Sequence, residues 1–168
     1  DTGEFIELYN PTDAEIDLSN YSLQYLSASA ENISEIEKKN FTEGARIAAH
    51  GFYLIGAGTY VATVQPDMRW SQALNNTGAT LALVASQEKI TSFEDSIVLD
   101  LIAYGTGEGL YVGRGVAGLP GEGQSLERRV ILAGECATSA HENEFLGNSC
   151  DTNDTVRDFV IRTVARPQ

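Results

Sequence analysis

Basic side chains, histidines, cysteines and long apolar runs are what this sequence has least of. Its 168 residues hold 11 Lys and Arg against 24 Asp and Glu, a formal net charge of −13, and residues 1–37 carry nine acids with no Lys or Arg. Affinity for nucleic acid comes mainly from lysine and arginine displacing condensed counterions, so no nucleic-acid partner is expected. The acidic surface serves solubility first, with binding of cations or of a basic protein as the functional alternative. Only His50 and His141 are available as imidazole bases, and no Gly-x-Ser-x-Gly elbow occurs. A serine or cysteine nucleophile therefore has no recognisable partner; no catalytic residue is assigned, and both histidines read as surface residues, His50 in a turn before Gly51. Apolar runs stay strand-sized, as in ATLALVA at 79–85, far short of the roughly 20 residues that a membrane-crossing helix needs. The chain has no initiator Met, basic leader or apolar signal segment, so Asp1 reads as the start of a partial or processed chain, with any targeting information upstream.

The two cysteines, Cys136 and Cys150, flank a loop segment, ECATSAHENEFLGNSC. They are too few for a zinc site even with His141 added. Joined as a disulfide, they would close a loop of about 15 residues and stabilise the fold by about 3 kcal/mol. That pairing favours an oxidising, exported location, extracellular or at the cell surface; two free thiols are the alternative.

A hydrophobic content of 42% and a charged content of 21% are ordinary for a folded soluble protein, and the length fits a single domain spanning 1–168. Apolar residues recur at every second position or in short continuous runs, broken by Gly, Asn, Asp or Pro, which is the pattern of an all-β sandwich or barrel. The candidate strands are EFIELYN, YSLQYLS, RIAA, FYLIGA, ATLALVA, SIVLDLIAYG, QSLERRV and DFVIRTV. In the first of them Ile6 and Leu8 point to one face while Phe5, Glu7 and Tyr9 point to the other. Asn10-Pro11-Thr12-Asp13 follows as a turn, with proline fixing φ and the Asn and Asp side chains bonding nearby backbone N–H groups. Residues 28–43 read as an excursion between strands, either a long loop or one surface helix. A short helix is expected around QPDMRWSQAL, where Trp70 and Leu74 are four apart. From 105 to 123 eight glycines in nineteen positions predict a surface loop.

Four patterns carry possible chemistry. Gly113-Arg114-Gly115-Val116-Ala117-Gly118 matches G-x-G-x-x-G, but Leu119-Pro120-Gly121 follows it where a dinucleotide site requires a helix, so no cofactor is assigned. Asp151, Asn153 and Asp154 are calcium candidates, because calcium favours clustered oxygen ligands on a turn. The run begins like an EF-hand loop, yet Val156 stands where glycine belongs and Arg162 where the final acid belongs; the competing reading is side chains capping a turn. Arg128 and Arg129 are an isolated basic pair that a strand would split between two faces. Sequons at Asn20, Asn32, Asn40, Asn75 and Asn153 are as frequent as chance allows in such a chain.

Taken in order, EFIELYNPTD at 4–13, DLSNYSLQYLS at 17–27, FYLIGAG at 52–58, LNNTGATLALV at 74–84, DLIAYGTG at 100–107, GEGQSLERR at 121–129 and NDTVRDFVIRTVARPQ at 153–168 resemble the lamin tail domain family in its prokaryotic, secreted or cell-surface form. The resemblance implies an immunoglobulin-like β-sandwich with long loop insertions. The family has one more strand before the Glu-Phe-Ile-Glu run, upstream of Asp1. An unpaired edge at that place would be open to a neighbouring molecule, which makes a strand-mediated dimer one expectation. The chain carries no heptad rod, prenylation box or basic flanks, so the filament-tail role of animal lamins does not transfer. What the resemblance implies instead is a non-catalytic module of an exported protein that contacts protein or cell-surface material. A structural assembly domain and an accessory domain of a secreted hydrolase with a calcium site are the alternatives.

Overall fold

The computed structural model describes residues 3–62, 64–107, 115–132, 134–137 and 149–168. In chain order the elements are β1 (Phe5–Tyr9), β2 (Ile16–Asp17), β3 (Ser22–Ser27), a 3-10 turn (Ile33–Glu35), β4 (Glu37–Asn40), β5 (Arg46–Ile47), β6 (Phe52–Ala57), β7 (Met68–Trp70) and β8 (Gly78–Val84), followed by β9 (Val98–Gly105), β10 (Ser125–Arg128), β11 (Ile131–Leu132), β12 (Glu135–Cys136), the single helical turn α1 (Thr155–Asp158) and β13 (Phe159–Arg162). Each of the eight extended runs read from the sequence becomes a strand.

Two sheets carry the fold, one of order β1-β6-β7 and one of order β4-β3-β8-β9. Their alternate residues meet in one core: Leu23, Tyr25, Ala79 and Leu81 from the four-stranded sheet pack with Tyr53, Ile55, Met68 and Trp70, and Ile6 and Leu8 close it from β1. Ile6 and Leu8 are the pair that the two-residue period places on one face of β1. Fully burying a side chain such as Ile55, which has no exposure, is worth about 1.5–3 kcal/mol. Tyr25 meets Trp70 and Phe41 meets Tyr53 edge to face, the arrangement that the aromatic quadrupole prefers.

The outer face of β3 and β8 is also covered. Leu26, Ala82 and Val84 pack against Ile36, Ile90 and Phe93 from the flanking loops. Gln24, wholly buried, fixes one of those loops by donating to the Glu88 carbonyl at 2.7 Å and accepting the Ile90 N–H at 3.0 Å. Such a buried amide is tolerated because its hydrogen bonds are made inside the protein.

Two expectations are corrected. Residues 28–43 form neither a plain loop nor a helix: Asn32 and Glu35 cap a 3-10 turn reciprocally, and the chain then enters β4, which pairs with β3 from Ser22–Asn40 to Tyr25–Glu37. The helix expected around Trp70 is instead β7, parallel to β6 with Ile55 opposite Met68 and Ala57 opposite Trp70. Met68 and Trp70 are buried and Arg69 is exposed, a period of two; the Trp70–Leu74 spacing suited either element, and pairing with β6 decided between them.

The Asn-Pro-Thr-Asp corner is a structural bend. Asn10, 1% exposed, donates Nδ2 to the Ala14, Ile47 and Ala48 carbonyls at 2.7, 3.2 and 3.0 Å. Its Oδ1 accepts the Thr12 N–H at 2.9 Å and the Thr12 hydroxyl at 2.8 Å. One side chain thus ties the end of β1 to the approach to β6.

Candidate functional site

β9 is the last strand of the four-stranded sheet. Its pairing with β8 slips between Leu83 and Val84: Leu83 faces Asp100 and Val84 faces Val98, leaving Leu99 without an opposite residue. A bulge of this kind bends the strand and re-aims side chains, and Leu99 is 47% exposed. Beyond the bulge Asp100 and Leu101 line a groove of about 500 Å³, whose other wall is the segment from Asp151 to Thr155 together with Asp158.

Local chemistry shapes that second wall. Asp151 Oδ1 accepts the Asn153 N–H at 3.0 Å, and Asp154 caps α1 by accepting the Val156 N–H at 3.1 Å. Asn153 lies at φ 58°, a left-handed conformation that asparagine tolerates better than most residues. The disulfide Cys136–Cys150 anchors the segment just before this turn, and the Cys150 N–H donates to the Arg129 carbonyl at 3.0 Å. The wall is therefore held at its base by a covalent bond and along its length by short-range caps.

Arg128 lies behind the groove. Its guanidinium sits 4.5 Å from the Phe159 ring centroid, donates to the Cys150 carbonyl at 2.8 Å and pairs with Asp100. Asp158 and Asp151 lie 3.6 and 3.9 Å from it. Asp158 is 2% exposed and accepts from the Thr152 N–H at 3.0 Å, the Thr152 hydroxyl at 2.6 Å and the Asp154 N–H at 3.3 Å, which satisfies a carboxylate that would otherwise be costly to bury. Partial burial raises the Asp100 carboxyl above its ordinary range; Arg128 and the Leu101 N–H oppose this and Asp151 adds to it. The site is a charge-dense cleft with more carboxylates than cations, suited to holding a positively charged group.

The residues singled out from the sequence are distributed as follows. Cys136 and Cys150 are joined. Asp151, Asn153 and Asp154 share the turn on the groove wall, with Asp151 and Asp154 acting as backbone caps. Among the described residues the one group of three candidate metal ligands within 4.8 Å of one another is Cys136, Cys150 and Asp158, and its sulfurs are bonded to each other. His50 sits on the surface at φ 53° with Nε2 2.8 Å from Asp13; His141 lies outside the described residues. Gly113 and Arg114 also lie outside them, and the rest of that motif leads into Ala117, which bridges to Tyr104 beside β9 rather than opening a helix. Arg128 is the last residue of β10, and Arg129, just beyond it, donates to the Ala137 carbonyl at 3.2 Å, away from the carboxylates around Arg128. Sequence reasoning missed Asp100 and Asp158 as partners of Arg128; the available signal was a charge in the middle of a strand, at DLIAYG. No helix among the described residues is long and apolar enough to cross a membrane.

A family model described as Lamin Tail Domain matches residues 1–99. The match ends at Leu99, so the groove is built where the matched part meets the later segments. No curated protein matches the chain.

Proposed function

The chain belongs to the lamin tail domain family, whose members are non-catalytic immunoglobulin-like domains, and from that premise we propose that it is a binding or tethering module of an exported protein. On this reading all 168 residues act as one unit, and the module contacts a protein partner or cell-surface material. The observation that carries the proposal is the groove of about 500 Å³ beside β9, with apolar residues and carboxylates together in its lining. Concave surfaces that combine an apolar lining with a few placed polar groups are where proteins take ligands. The Cys136–Cys150 bridge supports export, because such bonds persist in oxidising compartments.

The test is retention. Fluorescently labelled chain is mixed with intact cells and envelope fragments of the organism that makes it, and the bound fraction is read by sedimentation. Saturable retention, competed by unlabelled chain and reduced by Leu99→Asp, is expected. Chain that stays in the supernatant at every concentration refutes the proposal.

A further inference from the structure

Of the eleven residues lining the groove, five are acids (Glu94, Asp100, Asp151, Asp154 and Asp158) and none is basic. Its apolar part is supplied by Phe93, Val98, Leu99 and Leu101. The acids do not converge on one point: no three carboxylates among the described groove residues bring their oxygens within 4.8 Å of one another. A single desolvated metal ion needs several oxygens close around it, whereas a chain carrying several cations meets several separated carboxylates. The apolar lining favours the same choice, since it offers nothing to a hydrated ion and much to aliphatic side chains.

The edge of β9 adds a direction. At its far end the edge is occupied, because the Ala117 N–H donates to Ala103 at 2.8 Å and the Gly105 N–H donates to Ala117 at 3.0 Å. Along the groove, Leu101 gives its N–H to the neighbouring Asp100 carboxylate at 2.7 Å instead of to a strand. Among the described residues no strand other than β8 pairs with β9 along this stretch, so an extended segment has room to lie beside it and takes the Leu101 N–H by displacing that carboxylate. The molecule also contains an example of what its carboxylates select: Arg128, with its guanidinium over an aromatic ring and beside Asp100, Asp151 and Asp158.

We infer that the groove receives an extended peptide segment of alternating basic and apolar residues, laid along the edge of β9. Successive side chains of such a segment point to opposite sides, so the apolar set reaches Val98, Leu99 and Leu101 while the lysines and arginines face Glu94, Asp151 and Asp154. The net charge of −13 steers a basic partner toward the surface and repels an acidic one. This inference rests on the binding-module reading and specifies its partner.

The experiment uses the full chain and three fluorescein-labelled peptides that share the same valine positions and differ in carrying lysine and arginine, serine, or glutamate between them. Binding is read by anisotropy at low and at raised salt. The basic peptide alone is expected to bind, more weakly as salt rises. The double variant Glu94→Gln, Asp151→Asn should bind it roughly fivefold more weakly, as two exposed ion pairs of about 0.5 kcal/mol each imply. The change at Glu94 disturbs no side-chain hydrogen bond among the described residues, and Asp151→Asn keeps an amide oxygen to accept the Asn153 N–H while giving up the 3.9 Å approach to Arg128, which Asp100 and Asp158 still pair; the melting curve of the variant checks its fold. Equal binding of the serine or glutamate peptide, with sensitivity to Leu99→Asp, overturns the basic specificity and leaves the binding-module reading standing. Binding of the basic peptide that the double variant does not weaken overturns the location. Absence of binding by all three, or a calcium-induced rise in melting temperature that the double variant abolishes, overturns the inference, while the retention assay judges the module reading separately.

Discussion

Glu7 gives the most direct handle on the energetics. It lies in β1 opposite Leu54, half-buried, with its carboxylate accepting the Gln168 N–H at 2.6 Å. Burial pushes its pKa from 4.5 up to about 7; the Gln168 hydrogen bond opposes the rise, and Glu127 and Asp67 reinforce it. The folded chain therefore binds a proton here that the unfolded chain has already released between pH 4.5 and 7, so stability must fall as pH rises through that window. At 1.36 kcal/mol per pKa unit the shift amounts to about 3.4 kcal/mol, and water around a half-open side chain reduces this to about 1.5 kcal/mol. Glu7→Gln keeps an acceptor for Gln168 and removes the charge. Urea unfolding of both proteins from pH 4.5 to 8 should give near-equal stabilities at the acid end and a variant about 1.5 kcal/mol more stable at pH 8, roughly 3–6 °C in Tm. Taking the difference between the two proteins cancels the other titrating groups. A gap that stays constant across the series, or narrows toward pH 8, refutes the argument.

Two further perturbations test other parts of the fold. Asn10→Ala removes the side chain that bonds Ala14, Ile47, Ala48 and Thr12 and should lower stability by about 2–3 kcal/mol, seen as a lower urea midpoint at unchanged slope; a loss under about 0.5 kcal/mol would contradict its role as the clamp of that corner. Reduction of Cys136–Cys150, a bridge across a sequence separation of 14, should cost about 3 kcal/mol and lower Tm by roughly 6–12 °C. A melting curve identical with and without dithiothreitol would count against the bridge as a support of the groove wall.

Which side chains share a face of a strand was already written in the order of the residues. That Ile6 and Leu8 share one face of β1 was legible because strand geometry turns alternate residues to alternate sides, a rule needing only neighbours in the chain; in β3 and β8, buried on both faces, the set that meets the other sheet was decided by packing. The Asn10 corner was legible on local grounds too: its residue types act on backbone within a few positions. What the edges and charges do was settled only on folding. That Met68–Trp70 is a strand follows from β6 lying alongside it, and that Asp100, Asp151 and Asp158 surround Arg128 follows from segments distant in sequence converging on one cleft. Hydrogen-bond register and electrostatic environment depend on partners brought together in space. The same carboxyl group that in Asp154 caps a helical turn is, in Glu7, driven toward neutrality by burial.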